Sequence, residues 1–339
     1  MKCFICWLFL LPLIGYAQTY DLVSLNSGTN ASLRGMSIVT DDVAWVSGSK
    51  GHIGKTTDGG KTWQWVQPAG YAQLDFRDIQ GFDSLKAVAI NAGSPAYVLL
   101  TVDGGKTWTE RYKNTDSAIF LDGMDFWDKK NGIIFGDPIL NEMQLLRTQD
   151  GGLSWNPISG NLKTKLNTGE AGFAASGTTI KTLPGGKVWI ATGGAVAQIY
   201  YSDNYAYTWK VFKCPIIQGK SSTGTFAMDF YNGSKGVVVG GDYLKDKENL
   251  NNVLLTDDGG KNWKRPAKPV SGYRSGVIYV NSALLIATGS SGTDVSKDAG
   301  QNWINISGQG FNVIGKSKKG KLILLAGNKG EIYKLAVKP

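Results

Sequence analysis

The chain has 339 residues, of which 42% are hydrophobic, 45 are glycine and 11 are tryptophan. This composition is typical of many short strands joined by tight turns, and it excludes a disordered chain and a coiled coil. The formal net charge of +9 suits an acidic partner. Because no run of five basic residues occurs, we expect lysines spread over solvent-facing turns and predict no nucleic-acid partner.

The first 17 residues predict a signal peptide. Lys2 precedes an apolar run, residues 3–14, that is too short to span a bilayer and is followed by small residues up to Ala17. We predict cleavage near Ala17, a secreted or periplasmic protein, and no membrane span. Cleavage leaves Cys214 as the only cysteine, so we expect no internal disulfide.

An eight-residue motif recurs six times along the rest of the chain. It first reads TTDGGKTW at residues 56–63, and its later copies follow at intervals of 45, 47, 54, 54 and 40 residues. This spacing is typical of one four-stranded propeller blade per repeat. In a hairpin turn the motif's acid accepts backbone N–H bonds and its glycine supplies a positive φ. We therefore interpret the residues at the acidic position as structural: Asp58, Asp103, Asp150, Asn204, Asp258 and Asp298.

The repeats predict an all-β fold, a seven-bladed β-propeller forming a single domain over residues 18–339. The innermost strands are expected to start near Leu33, Leu74, Ile119, Phe173, Thr225, Tyr273 and Phe311. No fourth strand follows residues 331–335 in the last blade. The orphan strand at residues 20–25 is expected to supply that outer strand and close the ring, which leaves no open edge. A six-bladed ring is the alternative count.

The motif resembles the Asp box, or BNR repeat, of sialidases and many other propellers. Residues 33–63 (LRGMSIVTDDVAWVSGSKGHIGKTTDGGKTW) also resemble the photosystem II stability/assembly factor family. In that family an Arg-Gly or Arg-Asp start, a Gly-Trp-x-Val-Gly second strand and a DGG-x-x-W turn recur around a seven-bladed ring. The resemblance implies an interaction or assembly role and not a reaction.

Long connections are predicted to gather on one face of the ring. The Asp box joins the third and fourth strands of a blade, so the second-to-third and fourth-to-first connections lie on the opposite face, here called the loop rim. The insertions are all of these two kinds: residues 137–143, 159–172, 213–224 and 242–252. Long loops on one rim of a rigid scaffold indicate a functional surface.

Polar residues cluster where the innermost strands begin at the loop rim, including three of the six arginines in the chain. Arginine binds carboxylates and sulfates in a bidentate manner, so this arrangement favours an acidic ligand. The predicted ligand-binding residues are Arg34, Arg77, Asp137, Glu170, Asp242, Tyr243, Tyr273 and Arg274. The alternative interpretation is that these side chains form ion pairs lining a wet channel.

Two classes of function remain. Sialidases use an arginine triad, a Tyr–Glu pair and an Asp acid/base on this fold, and a glycoside hydrolase or lyase acting on an acidic glycan would draw its catalytic residues from Glu170, Asp137, Asp242 and Tyr273. The sialidase signature Phe-Arg-Ile-Pro appears only as Phe-Arg-Asp-Ile, residues 76–79, which argues against that activity. The single histidine, His52, builds no metal site, and no metal or cofactor is predicted. We predict a non-enzymatic, monomeric binding or assembly module that takes a protein or glycan at the loop rim.

Overall fold

The structure is a computed structural model that describes residues 19–338, so the predicted signal peptide lies outside the described residues. Seven antiparallel sheets form the blades of a β-propeller around a central channel. The predicted seven-bladed fold is confirmed, and the six-bladed count is wrong. The only helical segments in the described part of the chain are two 3-10 turns, Ser159–Asn161 and Asn328–Gly330.

Each blade is a meander that runs outward from the channel. Blade 1 contains β2 (Leu33–Ile38), β3 (Ala44–Gly48), β4 (Ile53–Thr56) and β5 (Gln64–Val66). Blade 2 contains β6 (Asp75–Gly81), β7 (Ala87–Ala92), β8 (Ala96–Thr101) and β9 (Thr109–Asn114). Blade 3 contains β10 (Leu121–Phe126), β11 (Gly132–Ile139), β12 (Glu142–Thr148) and β13 (Asn156–Pro157). Blade 4 contains β15 (Ile180–Leu183), β16 (Lys187–Ala191), β18 (Gln198–Ser202) and β19 (Lys210–Lys213).

The remaining blades follow the same plan with two variations. Blade 5 contains β20 (Thr223–Phe230), β21 (Gly236–Asp242) and β22 (Val253–Thr256), with the short strands β14 (Glu170–Ala171) and β17 (Gly193–Gly194) added at its inner edge. Its fourth strand is reduced to one bridge, Leu255 to Lys264. Blade 6 contains β23 (Gly276–Tyr279), β24 (Leu285–Gly289), β25 (Gly292–Ser296) and β26 (Trp303–Ser307). Blade 7 contains β27 (Val313–Lys316), β28 (Ile323–Ala326), β29 (Ile332–Lys338) and the N-terminal β1 (Thr19–Leu25).

The N-terminal strand closes the ring as predicted. β1 pairs with β29 in antiparallel register, from Thr19 opposite Lys338 to Leu25 opposite Ile332. The outer edge of blade 7 is therefore paired, and both ends of the described chain lie in one sheet. Apolar side chains fill the spaces between neighbouring blades; Trp189 of blade 4, for example, stacks on Phe230 of blade 5 with ring centroids 4.1 Å apart.

The Asp box is a hydrogen-bonded hairpin turn. In the first copy, Thr56 Oγ1 donates to Asp58 Oδ1 over 2.8 Å and accepts the Gly60 N–H over 2.9 Å. The Asp58 carboxylate also accepts the Thr62 N–H at 2.9 Å and the Thr62 hydroxyl at 2.6 Å. These bonds, led by the Thr62 hydroxyl, lower the pKa of Asp58 to about 2. The acid therefore stabilises the turn.

The degenerate fourth box keeps this geometry. Asn204 Oδ1 accepts the Ser202 hydroxyl over 2.9 Å and the Thr208 N–H over 3.0 Å. Tyr205 and Ala206 adopt the left-handed φ values of 58° and 64° that glycines adopt in the first box. An amide oxygen can replace the carboxylate because the turn needs an acceptor and not a charge.

The fourth blade departs from prediction, since its innermost strand starts at Ile180 and not near Phe173. Residues 172–178 (GFAASGT), here called the plug, cross the channel before that strand begins. The plug contacts distant blades: the Ser176 hydroxyl donates to the backbone oxygen of Ser275 in blade 6 over 2.6 Å. Its small side chains suit the narrow channel, and the repeat alone gave no sign of it.

Candidate functional site: the cavity at the loop rim

Four innermost strands carry a β-bulge close to the loop rim. The strand register shifts at Arg34, Arg77, Asp122 and Phe226. A bulge adds one residue to the strand and can re-aim its side chain. All four bulged residues line a single cavity, together with Ser275 of blade 6 and Asn312 of blade 7. Six of the seven blades therefore contribute an equivalent position to one site.

The cavity has a volume of about 530 Å³, and the plug forms its floor. Residues 171–175 line this cavity, whereas residues 176–178 line a second cavity on the Asp-box side. Aromatic rings form part of the wall: Phe173 stacks on Phe226 at 4.0 Å, and Tyr273 meets the same ring edge-on at 4.8 Å. Tyr273 is buried, while Tyr243 is 47% exposed at the edge of the cavity.

Blades 1 and 2 give the cavity a basic side. Arg34 donates to the backbone oxygen of Ala175 over 3.2 Å and forms no ion pair within residues 19–338. Burial, followed by repulsion from Arg77, lowers the pKa of Arg34. Arg77 pairs with Asp75 at 2.8 Å and donates to the backbone oxygen of Ala174 over 3.3 Å. Of the two arginines that line the cavity, Arg34 is the one without an ion pair in residues 19–338, although the Asp75 charge partly offsets the lowering of its pKa.

Blade 3 contributes a carboxyl pair. Asp122 is buried against Asp137, and its pKa is well above the ordinary value because of burial first and the Asp137 charge second. Asp137 accepts the Gly172 N–H of the plug over 2.9 Å, and burial raises its pKa. Because these carboxyls contact each other, they lack the separation of about 5–10 Å that glycosidases require.

Arg274 does not reach the cavity. Its side chain is fully buried, its Nε donates to Asp294 over 2.7 Å, and it also donates to Ser291 and to the backbone oxygen of Tyr273. Arg274 stands one residue before Ser275, which occupies the channel-facing position of blade 6. It therefore takes the core position that Leu33 occupies in blade 1.

Glu170 and Asp242 also lie away from the cavity lining. The buried Glu170 carboxylate accepts five hydrogen bonds of 2.6–3.0 Å, from Asn167 N, Asn167 Nδ2, Thr192 Oγ1, Gln198 Nε2 and Tyr200 Oη. Asp242 is buried and accepts the Leu244 N–H over 3.0 Å. Neither carboxylate is in a position to meet a ligand in this cavity.

The structure thus brings together part of the predicted group. Arg34, Arg77, Asp137, Tyr243 and Tyr273 line the cavity, and Glu170, Asp242 and Arg274 do not. Asp122, Phe226, Ser275 and Asn312 also line the cavity and were not among the predicted binding residues. Ser275 and Asn312 each follow a buried residue directly before an innermost strand, whereas Asp122 and Phe226 face the channel because the strand bulges there.

The second cavity, of about 330 Å³, is lined by charged side chains that bond to neighbouring blades. Asp78, Asp125 and Asp229 each accept a backbone N–H from the innermost strand of the next blade at 2.7 Å. Lys181 pairs with Asp229 at 2.8 Å. These carboxylates tie neighbouring blades together around the channel.

No group of three or more His, Cys, Asp or Glu side chains is arranged to hold a metal ion within residues 19–338. In the same range no helix is long and apolar enough to cross a membrane.

A family model described as photosynthesis system II assembly factor YCF48 matches residues 16–112 and 75–211, together more than half of the chain. Among curated proteins no sequence matches. Solved structures with the same fold include YCF48 bound to D1 peptide, which is 17% identical with a TM-score of 0.66, the match covering 96% of this chain and 97% of that one.

Two other propellers frame the comparison. YCF48 from Cyanidioschyzon merolae is 16% identical with a TM-score of 0.63, over 93% of this chain and 98% of that one. A GH74 xyloglucanase from Xanthomonas campestris is 12% identical with a TM-score of 0.62, over 93% of this chain and 53% of that one. At these identities the structural matches establish the fold alone, and the matched propellers include both a peptide-bound protein and an enzyme.

Proposed function

Because the chain belongs to the photosynthesis system II assembly factor YCF48 family, we propose that it is a binding module that holds a segment of a partner protein at the loop rim without catalysing a reaction. The observation that carries this proposal is Arg34, a cavity-lining guanidinium without an ion-pair partner in residues 19–338. A related propeller described as bound to a D1 peptide supports a peptide as the class of ligand.

The ligand group we propose is a carboxylate, from an acidic side chain or from a chain terminus. Arg34 supplies charge-assisted donors, while Phe226, Tyr243 and Tyr273 supply apolar surface beside them. We further propose that the chain works in the periplasm or outside the cell, on the strength of the apolar run that ends before Ala17.

The enzymatic alternative has little support. Glu170 is saturated with hydrogen bonds, and the carboxyls of Asp122 and Asp137 contact each other. No observation favours a glycan over a peptide.

The test is a binding assay with peptides that carry either a free or an amidated C-terminal carboxylate. Arg34→Gln should weaken binding of the free-carboxylate peptides about tenfold or more, since a hydrogen bond to a charged group contributes about 1.5–3 kcal/mol. Arg265→Gln is the matched control, because Arg265 is an exposed arginine outside the cavity. Equal binding by the Arg34→Gln and Arg265→Gln variants, or no peptide binding at all, would overturn the proposal.

A further inference from the structure

The long connections of blades 3 to 5 form one continuous part of the loop rim, here called the collar. It comprises residues 139–142, 158–169, 192–197, 214–222 and 243–252. Backbone hydrogen bonds of 2.8–2.9 Å join these segments in series: Leu166 N to Asn141 O, Ala195 N to Gly169 O, Gly219 N to Gly194 O, and Ile217 N to Asn251 O. The collar is therefore a connected surface and not a set of independent loops.

Three leucines project from the collar into solvent. Leu140 is 89% exposed, Leu244 is 74% exposed and Leu250 is 70% exposed, more than any other large hydrophobic residue in the described part of the chain. Leu140 also has a left-handed φ of 53°, a conformation that costs a branched side chain more than it costs glycine or asparagine. Neither core packing nor turn geometry explains a leucine at this tip.

The collar is also basic. It contains five lysines and three carboxylates. Two of the lysines pair within the collar, Lys165 with Glu142 at 2.6 Å and Lys245 with Glu248 at 2.9 Å. The three lysines that remain form no ion pair within the described residues, and all are exposed: Lys163, Lys220 and Lys247.

We propose that the collar docks on an anionic lipid bilayer, with the three leucines in the acyl boundary and the unpaired lysines against the headgroup phosphates. Apolar tips flanked by lysines bind such surfaces through apolar burial together with electrostatic attraction. The leucines stand on two different connections, so they suit a fluid interface that needs no matching groove. Tyr243, half exposed beside Leu244, is a residue type enriched at that depth.

This inference goes beyond the peptide site and uses none of its arginines. Docking by the collar would turn the loop rim, and with it the Arg34 cavity, towards the bilayer. A partner held there would be one that is itself close to the membrane surface.

The experiment is vesicle flotation of the chain from residue 18 onward, which contains every strand of the ring. Vesicles are phosphatidylcholine alone or with roughly one third phosphatidylglycerol. We expect binding to the anionic vesicles only, weakened about tenfold by the combined Leu140→Asn, Leu244→Asn and Leu250→Asn changes. Asparagine tolerates the left-handed backbone at position 140, so the variant should fold, and its melting temperature verifies this.

The matched control places three equivalent changes on the Asp-box face: Leu85→Asn, Val102→Asn and Leu153→Asn, at residues 50–61% exposed. These should leave vesicle binding unchanged. An equal loss in the control, or no binding to either vesicle, would overturn the proposal. Two further outcomes would overturn it, because each would make the collar a protein interface. In the first, the chain binds no vesicles and forms a dimer that the three collar substitutions dissociate. In the second, the chain binds no vesicles and the same substitutions abolish peptide binding.

Discussion

The two faces of the ring differ in how closely they follow the repeat. On the Asp-box face, the turn between the third and fourth strands bonds to the turn between the first and second strands in the same way in six blades: Gly59 N to Asp42 O, Gly104 N to Leu85 O, Gly151 N to Lys130 O, Tyr205 N to Gly186 O, Gly259 N to Ser234 O, and Ala299 N to Ala283 O. At the loop rim the recurring bond is limited to three blade junctions, where the start of an innermost strand donates to the end of the second strand in the preceding blade: Leu33 N to Gly327 O, Arg274 N to Gly240 O, and Phe311 N to Gly289 O. The loop rim carries the collar, the cavity and the segment that leads to the plug.

This difference separates two roles of the sequence. Residues repeated from blade to blade fix the ring, and departures from the repeat build the site on it. The same residue type can serve either role, since Arg34 lines the cavity and Arg274 lies in the core. Chemical type alone therefore does not distinguish a binding residue from a structural one.

The largest expected effect on stability is that of Arg274→Met, compared with the same substitution at Arg34. Arg274→Met leaves Asp294 buried without a cation, although Ser271 and Asn305 still donate to it, and breaking a buried ion pair costs about 3–5 kcal/mol. Arg34→Met removes a partly exposed charge with no ion-pair partner in residues 19–338 and should cost less than about 1 kcal/mol. Urea unfolding measures both values, and equal losses would contradict the distinction. Adding Asp294→Leu should restore much of the stability lost with Arg274→Met, since it removes the orphaned charge.

The packing of the plug can be tested by comparing Gly177, which lies in the plug, with Gly185, which lies outside it; both have a left-handed φ. An alanine Cβ at Gly177 would collide with the Asp78 carboxyl, whereas one at Gly185 would meet nothing within 4 Å. Both substitutions incur a backbone cost of about 1–2 kcal/mol. Gly177→Ala adds the collision, for a total of about 2–5 kcal/mol. If denaturation finds the two variants equally stable, the plug is not packed as described.

The smallest expected effect is on stability at low pH. The pKa values of Asp58 and Asp103 fall from the ordinary 3.8 to about 2 in the folded chain, mainly through the hydroxyls of Thr62 and Thr107. Their stabilisation is complete above pH 3.8 and is lost as the pH falls towards 2. Asp58→Asn with Asp103→Asn should therefore flatten the decline in melting temperature over that window by roughly a few degrees. Screening at the surface keeps the effect small.

The fourth box, which has Asn204 in place of the aspartate, allows the reverse experiment. Asn204→Asp should steepen the same decline between pH 3.8 and 2, because it adds a carboxylate to an equivalent set of donors. A melting curve unchanged by both sets of substitutions would mean that the box acids do not couple folding to pH.

The fold was predictable because the box recurs at blade spacing and tolerates Asn204 and Ala206 at degenerate positions. The site was predictable only in part, for a physical reason. A bulge shifts which side chain faces the channel by one residue, and a sequence pattern does not reveal it. Blade 6 has no bulge at this point. Arg274 was predicted to bind ligand because nothing local shows that it occupies the core position: its partner Asp294 lies twenty residues further along the chain, and Ser275 faces the channel instead.

The plug was missed for a different reason. The repeat required an innermost strand after residue 172, and the apolar residues Phe173 and Ala174 suited one. Their actual environment, the crowded channel axis, is created by six other blades and cannot be inferred from local periodicity. The collar leucines could not be assigned either, because exposure at a loop tip is a property of the assembled ring.

The pairing of β1 with β29 places a constraint on the order of events during synthesis. The strand made first must wait for the strand made last, some 310 residues later, before the ring can close. Throughout that interval β1 has an unsatisfied edge of the kind that recruits other chains. Contacts of such separation form slowly, so aggregation through this edge competes with ring closure until β29 has been made.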